Sequence, residues 1–153
     1  MRRGFMKRLL LAALLATMAF ASAADAPRVL LFMRSGSGDL EFMLQKEVGV
    51  MKDVLERSGF KVVVATMDGA PFSAGSATVR ADLRLEDAKM KDYAGFILPC
   101  MMVASYPEPE ISPVTMRLVQ EAVAAGKPVA AQTGSLWTLA KAGVLKGKKY
   151  AYA

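Results

Sequence analysis

The chain has 153 residues, the size of one domain, with a formal net charge of +6, one cysteine and no histidine. A lone cysteine excludes an intramolecular disulfide, and the missing histidine excludes Ser-His-Asp, Cys-His and histidine-ligated zinc chemistry within one chain. Any catalysis must run on carboxylates, Cys100, hydroxyls, lysine, tyrosine or backbone groups.

The N-terminus reads MRRGFMKRLLLAALLATMAFASAADAP. Arg2, Arg3, Lys7 and Arg8 are basic, and residues 9–20 form an apolar run of roughly a dozen residues, right for a signal peptide and short for a membrane span. Ala21-Ser22-Ala23 fits the small-x-small cleavage rule. Residues 1–23 are therefore expected to be a signal peptide and residues 24–153 a periplasmic or secreted domain, with membrane contact only before cleavage. Met6 is an alternative start, and an uncleaved anchor is the competing reading. Losing the leader removes four basic residues and no acidic one, leaving 16 Lys+Arg against 14 Asp+Glu, net +2. The remaining basic cluster, Lys146, Lys148 and Lys149, reads as a solvated turn, so nucleic-acid binding is not expected.

RVLLFM, residues 28–33, is a continuous apolar run suited to a strand buried on both faces. After RSGSGD, apolar residues recur at Leu44, Val48, Met51 and Leu55, a helical spacing, and Ser58-Gly59 supplies a stop. KVVVAT, residues 61–66, is a second buried strand, making a right-handed βαβ unit. Residues 67–85 read as a loop with a short hairpin around residues 78–81, and residues 85–93 as a helical turn. GFILP, residues 95–99, is a third strand and residues 100–111 a loop. Ser112-Pro113 is a helix start with Val114, Leu118 and Ala122 on one face and Gly126 as its end. PVAA, residues 128–131, is a strand that breaks at Gln132-Thr133-Gly134 into a helix over residues 135–142, stopped by Gly143. Residues 148–153 read as the beginning of another strand.

This order predicts an α/β fold, a doubly wound, mostly parallel sheet flanked by helices. Such sheets place sites beyond the carboxyl ends of their strands, so RSGSGDLE, CMMVASYPEPE and QTGS are expected to converge.

The ordered set VLLFM, GFKVVVAT, DYAGFILP, VTMRLVQEAVAAGKPVAA and LAKAGVLKGKK resembles the ThiJ/PfpI family (the DJ-one family) of the class I glutamine amidotransferase-like superfamily, whose fold is flavodoxin-like. The resemblance implies a strand-to-helix elbow holding a cysteine, often followed by histidine. Here Thr133 holds the cysteine's place and Gly134 the histidine's. The family's LPGG loop reads Leu98-Pro99-Cys100-Met101. A glutamate on the first helix is also implied: counting back from Gly59 selects Glu47, counting forward from the first strand selects Glu41, and Glu47 is preferred. Family members continue further, so the chain is either truncated or a shortened variant with an exposed sheet edge.

The resulting expectation is a non-catalytic or weakly catalytic, small-ligand-binding or stress-related domain, with a pocket of Glu41, Glu47, Cys100, Met101, Gln132, Thr133, Gly134 and Ser135. A homodimer is expected, and neither a cofactor nor a resident metal. A thiol-dependent alternative uses Cys100 beside the elbow with Glu47 as proton partner, against the bland reading of Cys100 as a small buried residue. Hydrolase or glyoxalase-like chemistry is implied by the resemblance alone. Thr133 lacks a sequence-local base for nucleophilic work, since Lys141 is spaced away from it. Ser35 to Asp39 lacks the lysine and third glycine of phosphate loops. Soft-metal binding through Cys100, Met101 and Met102 is a third reading. Trp137 and Tyr106 could line a pocket, with packing the favoured reading.

Overall fold

The computed structural model describes residues 25–34, 40–100 and 111–150. The expected leader, the loop at residues 35–39, and Met101, Met102 and Tyr106 lie outside the described residues. Strands β1 (Arg28–Phe32) and β2 (Lys61–Thr66) are each buried after their first residue, as their unbroken apolar runs require. Helix α1 joins them, running as Leu40–Phe42, a π-helical stretch Met43–Val48, and Gly49–Arg57. It ends at Ser58, with Gly59 at φ 85°, where glycine avoids the Cβ clash of the left-handed region.

Strands β3 (Phe72–Ala74) and β4 (Ala77–Val79) form a separate antiparallel hairpin. The hairpin lies earlier than the expected residues 78–81: Gly75-Ser76 makes the turn, and Glu41 holds it from outside the segment. Strand β5 (Leu83–Arg84) was hidden in what reads as loop. It pairs parallel with Ala65 and Thr66 of β2, and the Asp82 carboxylate accepts from the Val64 N–H at 2.8 Å, one step down that edge. Two 3₁₀ turns, Leu85–Asp87 and Met90–Asp92, replace the single helical turn expected there.

Strand β6 (Gly95–Leu98), helix α2 (Pro113–Ala124), strand β7 (Val129–Ala131) and helix α3 (Leu136–Lys141) complete the chain order. The Ser112 hydroxyl caps α2 by accepting from the Val114 N–H at 3.2 Å, with Pro113 in the first turn. Residues 148–150, expected to open a strand, are exposed and join no ladder among the described residues; the Lys148 N–H instead closes a turn on the Leu145 carbonyl at 3.0 Å.

The main sheet has the order β5-β2-β1-β6-β7, every pair parallel. On one face Phe32, Phe96 and Leu98 pack under Leu118, Val119 and Ala122 of α2 and Leu139 of α3. On the other, Leu31, Val62 and Val64 pack under Met43, Leu44 and Val48 of α1 and against the hairpin. Each fully buried aliphatic side chain contributes about 1.5–3 kcal/mol. The chain winds outward from β1 to β2 and β5, then returns to β6 and β7. The order therefore reverses between β1 and β6, where doubly wound sheets open a crevice.

Candidate functional site

The elbow follows β7. Gln132 is still extended (φ −111°, ψ 133°), and its N–H continues the ladder to the Leu98 carbonyl at 3.0 Å. Thr133 then turns to φ 47°, the sole non-glycine residue with positive φ among the described residues. For a β-branched side chain this conformation is an outlier, and such strain gathers where a site needs a fixed side chain. Thr133–Ser135 form one 3₁₀ turn that leads into α3. Thr133 stands exposed at the apex, while Ser135 is fully buried and donates its hydroxyl to the Pro99 carbonyl. The same turn is closed by the Ser135 N–H on the Gln132 carbonyl at 3.0 Å.

Two of the three expected loops thus meet: the elbow is fastened to Leu98 and Pro99, and Cys100 follows directly. Cys100 is a free thiol, buried at 7% exposure. Met101 lies outside the described residues. The ammonium of Lys141 sits 5.0 Å from the centre of the Trp137 ring, a cation–π contact on α3. That engagement agrees with its spacing away from Thr133.

The two candidate glutamates separate cleanly. Glu41 is exposed and turned to the hairpin. Its Oε1 accepts from the Ser76 N–H and hydroxyl, both at 3.2 Å, and from Gln45 Nε2 at 3.1 Å. Glu47 is half-buried, and its Oε2 is shielded from water without a hydrogen-bond partner among the described residues. It lies in the π-helical stretch, a local widening that recurs at functional sites. The wider turns also lengthen the segment between β1 and Gly59, which helps explain why forward and backward counting select different glutamates.

Val50, Met51, Val54 and Leu55 of α1 look across a groove of about 500 Å³ at Ile97, Ala130 and Gln132. The groove exists because α1 covers β1 and β2 and leaves β6 and β7 open on this side. It adjoins a smaller apolar hollow of about 210 Å³ over Val29, Phe60 and Pro128. Gln132 is its polar end, and Gln132 Oε1 is a second buried acceptor without a partner among the described residues. Buried acceptors left unmet are costly, so each calls for a donor.

Sequence reasoning selected Glu47 and Gln132 but not the groove. The available signal was the exposed apolar pair Val50 and Val54, four apart on the same face as Met51 and Leu55. Among the described residues no three acidic or cysteine side chains cluster as a metal site would.

A model of the DJ-1/PfpI family matches residues 27–152. Among solved structures, the chain is similar to a two-domain protein of Anabaena variabilis containing DJ-1/ThiJ/PfpI-like and ferritin-like domains. They share 25% identity at a TM-score of 0.63, over 80% of this chain and 34% of that one. It is also similar to oxidized DJ-1 of Toxoplasma gondii, at 24% identity, TM-score 0.62, and 83% and 67% coverage. A DJ-1 superfamily protein of Agrobacterium tumefaciens shares 19% identity, TM-score 0.60, and 79% and 61% coverage. The chain spans 34% to 67% of the length of these three proteins. The two likenesses under 25% identity concern the fold alone. No curated protein matches the chain.

Proposed function

Given that the chain belongs to the DJ-1/PfpI family, we propose that it is an exported, non-catalytic or weakly catalytic member that binds a small ligand at the elbow. One observation carries this reading: the elbow is strained at Thr133 and presents a hydroxyl, with buried acceptors on Gln132 and Glu47 that have no partner among the described residues. Unmet buried acceptors are suited to a ligand that brings donors. A stress-related role accords with the family. Export rests on the N-terminal sequence pattern, and homodimerisation on the resemblance.

The test is a fragment screen by nuclear magnetic resonance on the isotopically labelled protein. Fragments that bind should shift the Gln132, Thr133 and Gly134 amides, and Glu47→Gln or Thr133→Val should weaken them. A screen in which those amides never move would sink the reading. Export is checked separately, by fractionating cells that make the full chain and sequencing the N-terminus of the product. Recovery outside the cytoplasm with a start at Ala24 is expected, and a cytoplasmic product starting at Met1 or Met6 would count against export.

A second reading is favoured by the Ser135–Pro99 bond, which holds the Cys100 backbone against the elbow. In it the Cys100 thiol performs carbonyl or peroxide chemistry with Glu47 as proton partner. It requires Cys100 to alkylate faster than a free thiol at neutral pH; slower alkylation removes it.

A further inference from the structure

The charges of this chain are segregated along its length. Residues 24–121 hold 11 Lys+Arg and all 14 Asp+Glu, net −3, whereas residues 122–153 hold five lysines and no acidic residue. One of the five is engaged within the fold: the Lys127 ammonium donates to the Met90 and Tyr93 carbonyls. The other four, Lys141, Lys146, Lys148 and Lys149, are exposed and make no ion pair among the described residues. Arg57, Arg84 and Arg117, by contrast, each have a carboxylate partner.

The four lysines follow the end of α3 on a loop held in place. The Gly143 N–H meets the Ala140 carbonyl at 3.0 Å and the Val144 N–H the Leu139 carbonyl at 3.2 Å, a helix end that reverses the chain. Gln120 Nε2 of α2 holds the Ala142 carbonyl at 2.9 Å, and Val144 and Leu145 pack against the core. The turn from Leu145 to Lys148 follows at once. A lysine in the last turn of a helix answers its dipole, but Lys146, Lys148 and Lys149 lie beyond that reach. Aromatic rings flank the cluster. Trp137, 39% exposed, lies under the Lys141 ammonium, and Tyr150, 56% exposed, follows Lys149.

We propose that this surface, from Trp137 to Tyr150, docks the folded domain on a bilayer rich in anionic lipid. The inference goes beyond the ligand-binding reading and uses none of its residues. Four ammonium groups without carboxylate partners suit a plane of phosphate headgroups. Trp and Tyr rings settle at headgroup level, where an apolar body and a polar edge are both satisfied. Nucleic acid is the poorer fit, because it asks for a basic stripe along a face and these lysines sit in two turns. The net −3 of residues 24–121 turns the lysine end toward a negative membrane. Docking is peripheral, since among the described residues no helix is long and apolar enough to cross a membrane. Contact with the membrane then outlasts removal of the leader, against the expectation from sequence.

Trp137 is the chain's single tryptophan, so its fluorescence reports docking at this surface directly. The processed chain, Ala24 to Ala153, keeps every described strand and helix. It is titrated with vesicles of phosphatidylcholine alone and of phosphatidylcholine mixed equally with phosphatidylglycerol. The anionic vesicles should shift the emission to the blue and sediment the protein, and added salt should release it. The neutral vesicles should do neither. Each lysine near an anionic surface is worth about fivefold in partitioning, so replacing Lys146, Lys148 and Lys149 together by glutamine should weaken binding about a hundredfold. Replacing the same three by arginine should restore it, and unchanged melting temperatures establish that both variants fold. Equal binding to the two vesicles overturns the proposal, as does a glutamine variant that binds normally. Sedimentation without a shift at Trp137 also overturns it, since the domain then docks by another face. So does tighter binding to a single-stranded oligonucleotide or to polyglutamate than to the anionic vesicles, which makes the surface one for nucleic acid or for an acidic protein. The fragment screen reads Gln132, Thr133 and Gly134, so either reading fails without the other.

Discussion

The hydroxyl of Ser135 donates to the carbonyl of Pro99, joining positions 36 apart in sequence. The contact is fully buried on the Ser135 side, and it locks the turn before α3 onto the end of β6. The strained apex at Thr133 and the thiol of Cys100 therefore answer to one bond.

Ser135→Ala should remove that bond and strand the Pro99 carbonyl. A loss of about 1–3 kcal/mol is expected, read as a lower urea midpoint with an unchanged slope. Cys100 should also alkylate faster in the variant, because the chain beside it is released. Unchanged Cys100 reactivity would show that the thiol is shielded by something else.

Thr133→Gly should stabilise the protein. Glycine adopts φ 47° without the Cβ clash, which relieves on the order of 1–2 kcal/mol. The greater freedom of glycine in the unfolded chain returns about 0.5–1 kcal/mol of that. The expected net gain is modest, with weaker ligand binding where the threonine side chain takes part. Chemical denaturation and the fragment titration read the two effects separately.

Tyr93 predicts an alkaline weakness. Burial pushes its phenol above the ordinary tyrosine value of 10.0, opposed by the Arg28 guanidinium 5.1 Å from the ring centre and reinforced by Asp92 and Asp82. The native state thus holds its proton longer than the unfolded chain does. Stability from this group is complete below pH 10.0 and declines as pH rises through the raised value. Tyr93→Phe should flatten that decline in a series of denaturation curves above pH 10; an identical slope in both proteins would refute the assignment.

Glu41 and Glu47 should part company in mutagenesis. Glu41→Ala frees the Ser76 N–H and hydroxyl, so Ser76 should exchange its amide proton faster, by the equivalent of about 0.5–1 kcal/mol. Ligand binding at the elbow should not change. Glu47→Gln should do the reverse.

Much of the fold was legible because burial leaves a direct trace in sequence. Short unbroken runs such as VLLF and VVVA, bounded by turn residues, suit strands covered on both faces, and Ser112-Pro113, Gly59 and Gly126 mark ends by backbone chemistry. Strand β5 was not legible. Two residues have no period, and Leu83 and Arg84 become a strand only because β2 offers a free edge. The strand-to-helix turn at Gln132 and Thr133 was legible, whereas which of Glu41 and Glu47 the hairpin claims was not. That contact joins positions 35 apart and leaves no local signature. The groove arises from what α1 does not cover, a property of placement rather than of any one residue.

The π-helical stretch Met43–Val48 has a consequence for the length tolerance of the chain. A π turn holds an extra residue relative to an α turn, so the stretch stores slack. Deleting Lys46 would let it contract to ordinary helix and swing the residues before the cut by about 100° about the helix axis. Met43 and Leu44, buried in one cluster with Leu31 and Val64, would be turned off the sheet. The extra residue is what seats the buried side chains of the helix, so a codon lost there is paid in core packing while one lost from the exposed turns beyond Gly49 is not.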